Sequence, residues 1–257
     1  MVDVLGIPLY DQGLARAVAD AAATCTGGAR RLNRCVSATG AHGLVLAQRD
    51  AAFAAVLRAC HWNLPDGMPG VWIGRLKGAK GMDRCYGPEF FRRVLTATRE
   101  QPVRHFLCGG NEGVADELRA VCAHQFGNPG VVGTHCPPFR TLTDAEVQAI
   151  AQRANALAVD IVWIGISTPK QETLARRLAA YLDAHFIVTV GAAFDFHTGR
   201  TRQAPAVVQR MGLEWLFRLC LEPRRLYKRY LQVVPMFIFY NLRELFSSHH
   251  ESDADHG

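Results

Sequence analysis

No two cysteines stand at the CxxC spacing of a zinc ribbon or a redox motif. The eight are scattered, at 25, 35, 60, 85, 108, 122, 136 and 220, which predicts reduced thiols packed as small apolar side chains. No Gly-Lys-Ser/Thr follows the glycine-rich stretch at 109–113, so it is not a Walker A loop. The internal histidines lack ligand spacing, and the one Asp-x-Asp, Asp253-Ala254-Asp255, lies in a polar tail, so no metal is expected. No apolar run reaches the roughly 18 to 20 residues that span a bilayer. The start, Met1-Val2-Asp3-Val4-Leu5-Gly6, has no basic region and no long apolar stretch, so no signal peptide is predicted. These absences predict a cytoplasmic chain that at most lies on a membrane. No nucleic-acid-binding motif, internal repeat or low-complexity segment is present, and nucleic acid is not expected as a partner.

The 257 residues suit one large α/β domain with a modest appendage. A hydrophobic fraction of 49% against 20% charged residues supports a full core and excludes wholesale disorder. The net charge of +6 has one source. Residues 200–230 hold eight basic side chains (Arg200, Arg202, Arg210, Arg218, Arg224, Arg225, Lys228, Arg229) and two acidic ones (Glu214, Glu222). That surplus equals the whole chain's, so one segment carries the field that attracts anions.

Apolar β-rich runs at 32–38, 103–108, 130–133, 159–164 and 186–190 alternate with helical patterns at 51–60, 88–98, 112–126, 144–158 and 169–184. Short, continuously apolar strands between helices predict a Rossmann-like, mostly parallel sheet covered on both faces. Such sheets bind ligands beyond the carboxyl ends of their strands. There fall Thr39-Gly40-Ala41-His42, Gly109-Gly110-Asn111-Glu112-Gly113, Gly133-Thr134-His135, the stretch from Gly165 to Glu172, and Gly191-Ala192-Ala193-Phe194-Asp195. After residue 200 two helices are predicted with no strand between, 204–220 and 222–246, followed by a disordered tail at 247–257. The predicted division is a core at 1–203 and a basic helical appendage at 204–246.

Each constellation has an ordinary reading beside a functional one. Gly109 to Gly113 is a plain strand-to-helix turn, or a phosphate cradle at a helix N-terminus. Asp66 in Leu64-Pro65-Asp66-Gly67-Met68-Pro69 bonds its own turn, or serves as a general base. Pro169-Lys170-Gln171-Glu172 is helix-start chemistry, or presents Gln171 as a donor to a sugar or phosphate oxygen. Arg210, Glu214 and Arg218 recur at i, i+4 and i+8, as an ion-pair ladder would. With Arg224, Arg225, Lys228 and Arg229 beside Trp215, Tyr227 and Tyr230, they also suit an anionic membrane interface.

Taken in order, these stretches resemble the WecG/TagA/CpsF glycosyltransferases (glycosyltransferase family 26). The matching elements are Ala47-Gln48-Arg49-Asp50, Leu64 to Pro69, Phe106 to Gly110 with Gly113-Val114-Ala115, Pro137-Pro138-Phe139, Pro169 to Glu172, Val190 to Phe196, Gly212-Leu213-Glu214-Trp215 with Arg218, and Glu222-Pro223-x-Arg225. The resemblance implies an inverting transferase that needs neither cofactor nor metal. It implies a UDP-sugar donor and a polyprenyl-diphosphate-linked saccharide acceptor, in surface polysaccharide synthesis at the inner face of the plasma membrane. Asp66 is then the base, with Thr39 beside it at the sugar. Gly109, Gly110, Gly113, His135, Gly165, Gln171 and Asp195 hold the donor. Arg218, Arg225 and Lys228 face the acceptor diphosphate. Members often carry Asn where this chain has Gly40, Arg where it has Gln203, and an aromatic residue at Thr173-Leu174. The oligomeric state stays open, a homo-oligomer included. Two rivals are a nucleotide-cofactor oxidoreductase on the same fold and a non-catalytic basic module that binds lipid or nucleic acid. The first would want a clean GxGxxG with an acidic residue about 20 positions on, which is absent. The second would not need Asp66.

Overall fold

The structure, a computed structural model, describes residues 1–254. The side chains of Ala206, Arg225 and residues 247–254 lie outside the described part, as do residues 255–257. Eight strands form one sheet: β1 (Val2–Val4), β2 (Ile7–Leu9), β3 (Arg34–Thr39), β4 (Trp62–Pro65), β5 (His105–Gly109), β6 (Val131–His135), β7 (Ile161–Gly165) and β8 (Phe186–Thr189). Their spatial order is β1-β2-β4-β3-β8-β7-β5-β6. Among the described residues only the β1–β2 pair is antiparallel; β2 to β8 run parallel. The mostly parallel α/β expectation is therefore met.

Side chains on successive strand residues point to opposite faces, and the core follows that period of two. Leu107, Ile161, Trp163, Phe186 and Val188 face one side. There they meet α1 (Gly13–Thr26), α5 (Gly87–Ala97) and α6 (Val114–His124) through Val18, Phe91 and Leu118. Phe106, Cys108, Val162, Ile164 and Ile187 face the other side, against α7 (Asp144–Ala156) and α8 (Lys170–Leu178). Central strands buried on both faces explain why their sequence reads as continuously apolar.

A third cluster joins α2 (Ala41–Ala47), α3 (Ala51–Arg58) and α4 (Met68–Leu76) to Val233 and Phe237. The last two belong to α12 (Pro223–Ala254), which packs on α2. Its buried residues Leu226, Val233, Phe237 and Asn241 recur at helical spacing. Leu231, Ile238, Leu242 and Phe246 repeat the same spacing and are exposed, Ile238 and Leu242 at the edge of a cavity. Glu244 fastens the helix further along, pairing with Lys77 at 2.6 Å and accepting the Leu5 N–H at 3.3 Å. Among the described residues no helix is long and apolar enough to cross a membrane.

The sequence pattern differs from the structure in several places. The predicted helix at 204–220 is two helices, α10 (Ala206–Arg210) and α11 (Glu214–Leu221). Gly212 separates them at φ +69°, where a Cβ would lie 2.5 Å from the Trp72 ring. Glycine is needed there for both reasons. The Arg210–Glu214–Arg218 ladder consequently does not form on one helix. Gly133 lies within β6, packed against Leu157 and Phe106, and is not a turn residue. The backbone of α12 continues to Ala254, past the predicted end at 246.

Candidate active site

A cavity of about 890 Å³ opens at the carboxyl ends of β3, β4, β5, β7 and β8. Its wall opposite the sheet is made by α4, α11 and α12, through Trp72, Trp215, Val233 and Phe237 among others. One end is therefore backbone-rich and polar, the other apolar. That combination suits an amphiphilic or two-substrate reaction better than a single small metabolite.

Asp66 lies at the junction. It follows β4, where Leu64 is fully buried and fixes the strand. Its own N–H bonds the Thr39 carbonyl at 3.2 Å, which ties the turn to the neighbouring strand. Carboxylate Oδ1 accepts the Gly87 N–H at 2.7 Å, at the first residue of α5. A Cβ on Gly87 would stand 3.0 Å from Ala38 Cβ and 3.3 Å from that same Oδ1, so only glycine lets the amide come so close. Burial pushes the Asp66 carboxyl up to about 6; the Gly87 amide, Arg84 and Arg218 pull the other way, and Glu214 adds to the rise. A group poised near neutrality and open to a cavity is matched to proton transfer.

Arg84 surrounds this aspartate from behind. Its Nε donates to the Asp66 carbonyl at 3.0 Å and Nη1 to Gln209 Oε1 at 2.9 Å. Nη2 donates to Glu214 in a close ion pair. The guanidinium carbon is 4.1 Å from the Tyr86 ring centroid.

Of the residues singled out from sequence, Asp66, Gly110, Gly165, Gln171, Asp195 and Arg218 line the cavity. Gly109 lies just beneath it, paired with Gly165 across β5 and β7. Gly113 caps α6 in a left-handed conformation, and His135 ends the outer strand β6; neither lines the cavity. Lys228 is exposed and points elsewhere, whereas its neighbour Arg229 does line the cavity. The side chain of Arg225 lies outside the described residues.

Two of these residues face inward. Thr39 is buried; its hydroxyl lies 2.9 Å from Ser37 Oγ and 3.3 Å from Asn63 Oδ1. Gln171 donates to Thr168 Oγ1 at 3.2 Å and Glu172 Oε1 at 2.8 Å, while its own carbonyl oxygen accepts the Gly191 N–H at 3.0 Å. Its amide thus holds the β7 and β8 loops in place, where the sequence suggested a donor aimed at the ligand. The Gly110 N–H is likewise committed, to the Gly165 carbonyl at 3.0 Å. At Gly40 the absent side chain leaves space: a Cβ would sit 3.9 Å from Asp66 Oδ2.

Sequence reasoning missed Arg84 and Gly87, and it named His42 and Arg229 only within a strand-end stretch and the basic segment, without a role at the site. A signal existed for Gly87, since Tyr86-Gly87-Pro88 places proline in the first turn of a helix. Burial lowers the His42 imidazole to about 4, with Arg229 adding to the effect, so this cavity-lining side chain is neutral at physiological pH. Arg218 Nε is buried with no hydrogen-bond partner among the described residues, and its guanidinium lies over the Phe196 ring. An unpartnered buried donor beside a cavity is a place for an anionic ligand oxygen. Among the described residues no three His, Cys, Asp or Glu side chains converge as metal ligands.

The sequence profile of the Glycosyl transferase WecG/TagA/CpsF family matches residues 2–251, which takes in every strand and every wall of this cavity. The chain therefore belongs to the WecG/TagA/CpsF family of glycosyltransferases, which act in polysaccharide synthesis.

Proposed function

We propose that the protein moves a sugar from a UDP-sugar to a hydroxyl of a polyprenyl-diphosphate-linked saccharide, with inversion, at the inner face of a bacterial membrane. The observation that carries this reading is the Asp66 carboxyl. It is held by the Gly87 amide at the junction of the cavity's polar and apolar ends, with its proton affinity raised to about 6. In a single displacement Asp66 takes the proton of the acceptor hydroxyl as that oxygen attacks the anomeric carbon. The C–O bond to UDP breaks on the opposite face, which inverts the configuration. The loops at Gly110, Gly165 to Thr168 and Gly191 to Asp195 hold the donor. Arg218 and Arg229 meet diphosphate charge from α11 and α12, the electrostatic part of catalysis. A screen of UDP-sugars for UDP release, with and without a polyprenyl-diphosphate sugar, tests the reading. Release that never depends on such an acceptor, for any donor, would refute it.

Arginines in place of a bound cation predict that transfer survives exhaustive EDTA treatment. Loss of activity restored by Mg²⁺ or Mn²⁺ and not by Ca²⁺ would overturn that part. Arg218→Ala is expected to reduce transfer about tenfold to a hundredfold, the worth of one charge-assisted contact of 1.5 to 3 kcal/mol. Wild-type turnover in that variant would remove Arg218 from the site.

The appendage is read as the membrane contact. The exposed Leu231 and Phe246, with Ile238 and Leu242 at the cavity mouth, supply apolar area, and the exposed Arg224 and Lys228 supply charge worth roughly 1 kcal/mol each near an anionic leaflet. Co-sedimentation with phosphatidylglycerol vesicles is expected to weaken as salt rises from 0.05 to about 0.5 M. Binding that ignores both salt and lipid charge would sink the electrostatic half of the idea.

A further inference from the structure

Arg84 touches Asp66 and both short helices of the appendage. Its planar guanidinium carries five donors in a fixed fork. Three are used on three segments: the turn after β4 at Asp66, α10 at Gln209 and the first residue of α11 at Glu214. The bonded positions are 18, 125 and 130 residues away in sequence. Three residues on from Arg84, the Gly87 amide grips the Asp66 carboxylate. One short stretch, residues 84–87, thus fixes Asp66 at its carbonyl and at its side chain while being tethered to α10 and α11.

We propose that Arg84 is a positioning residue through which the docking of α10 and α11 sets the place and the proton affinity of Asp66, with Glu214 as the competing anion that keeps Arg84 from pairing with it. The inference rests on reading Asp66 as the base, and extends that reading from the residue to its control. The physical basis is a contest for one cation. Arg84 and Glu214 are both largely buried, so neither charge is balanced by water if the other leaves. With α11 in place, Glu214 satisfies Arg84. With Glu214 removed, the Arg84 charge that already holds the Asp66 carbonyl and lowers its carboxyl acts on Asp66 unopposed, and an aspartate drawn to arginine is a weaker base.

The charged and titratable groups facing Asp66 are Arg84, Glu214 and Arg218, together with Tyr86 and Cys85. Burial raises the Cys85 thiol to about 12 and the Tyr86 hydroxyl further, so both stay neutral and only the first three act as charges. Glu214 raises and Arg84 lowers the Asp66 carboxyl. Removing each should therefore move it in opposite directions.

The test follows the Asp66 carboxyl by ¹³C NMR in full-length protein labelled at aspartate, its signal identified by its loss in Asp66→Asn. It is run beside the pH profile of kcat. Arg84→Met, which keeps an unbranched side chain but removes the charge, is expected to shift the midpoint upward. Glu214→Gln is expected to shift it downward, and each variant should lose about tenfold to a hundredfold in kcat, the scale of a small misplacement of a reacting group. Arg84→Met with Glu214→Gln leaves no unpaired charge, so it folds even where a single variant does not, and its midpoint should fall between the two. UDP binding within about threefold of wild type identifies each variant as folded. Midpoints that stay put or move the same way, or full kcat in Arg84→Met, overturn the proposal. The NMR readout does not need Asp66 to be the base. Full turnover in Asp66→Asn would end that reading alone, while unmoved midpoints would end the coupling alone.

Discussion

Asp66→Asn is expected to lower turnover by about 10² to 10⁴, the size of a general-base contribution, while UDP affinity changes little. The amide oxygen of asparagine can still accept the Gly87 N–H, so the turn keeps its geometry and only proton transfer is lost. In the wild type the acidic limb of kcat should lie near pH 6, where the buried carboxyl ionises. The same shift has a sign for stability. Between 3.8 and about 6 the folded protein holds a proton that the unfolded chain releases, so this group's contribution falls as pH rises through that window. At pH 8 the asparagine variant, with no charge to bury, is expected to melt no lower than wild type. A variant that turns over normally would remove Asp66 as base, and one that melts well below wild type at pH 8 would contradict its burial.

Gly109→Ala is the substitution expected to damage the fold most. Gly109 has φ +155° and pairs with Gly165 where β5 and β7 end. A Cβ there would stand 2.4 Å from the Gly165 oxygen and 2.6 Å from its carbonyl carbon, both backbone atoms. No rotamer change relieves a clash with backbone, so β5 and β7 must part at the lip of the cavity. A loss of about 3 kcal/mol or more is expected, at the severe end of overpacking, with UDP binding lost as well. Gly113→Ala is the comparison. That glycine has φ +81° but open space around its Cβ, so only the backbone penalty of about 1 kcal/mol applies. Urea midpoints measure both; equal midpoints would show that the close approach at Gly109 does not matter.

The parts legible in the sequence were those set by local chemistry. β5, β7 and β8 read as strands because burial on both faces makes every residue apolar. β4 escaped notice because it is short and contains Asn63 and Pro65; the buried Asn63 amide nitrogen donates to the Pro8 and Leu57 carbonyls, and its oxygen accepts from Thr39, partners brought from elsewhere in the chain. Helix α4 was hidden by Gly67, Pro69 and Gly70, which read as turn residues although proline fits a helix's first turn. Asp66 stood out through its turn. Arg84 could not, because its meaning comes from partners 125 and 130 positions away. Gln171 stood out through its place at a helix start, but its direction is decided by Glu172 beside it and by Gly191 across the sheet. The choice of Arg229 over Lys228 is a matter of helix phase, one residue being about 100° of rotation, and that phase is set by how Glu222 and Pro223 join α11 to α12.

The bond between Leu5 and Glu244 joins positions 239 apart. On the ribosome, every strand of the sheet has been made before α12 is complete. Domains tend to fold from the end that emerges first, so the sheet and its helices form while the last wall of the cavity is still unmade. The nascent protein thus passes through a stage as an open cleft with Leu44 and Val45 of α2 uncovered. Closure of that cleft waits on α12, and a stall before residue 223 would leave a chain with its Asp66 turn complete and its substrate cavity missing a side.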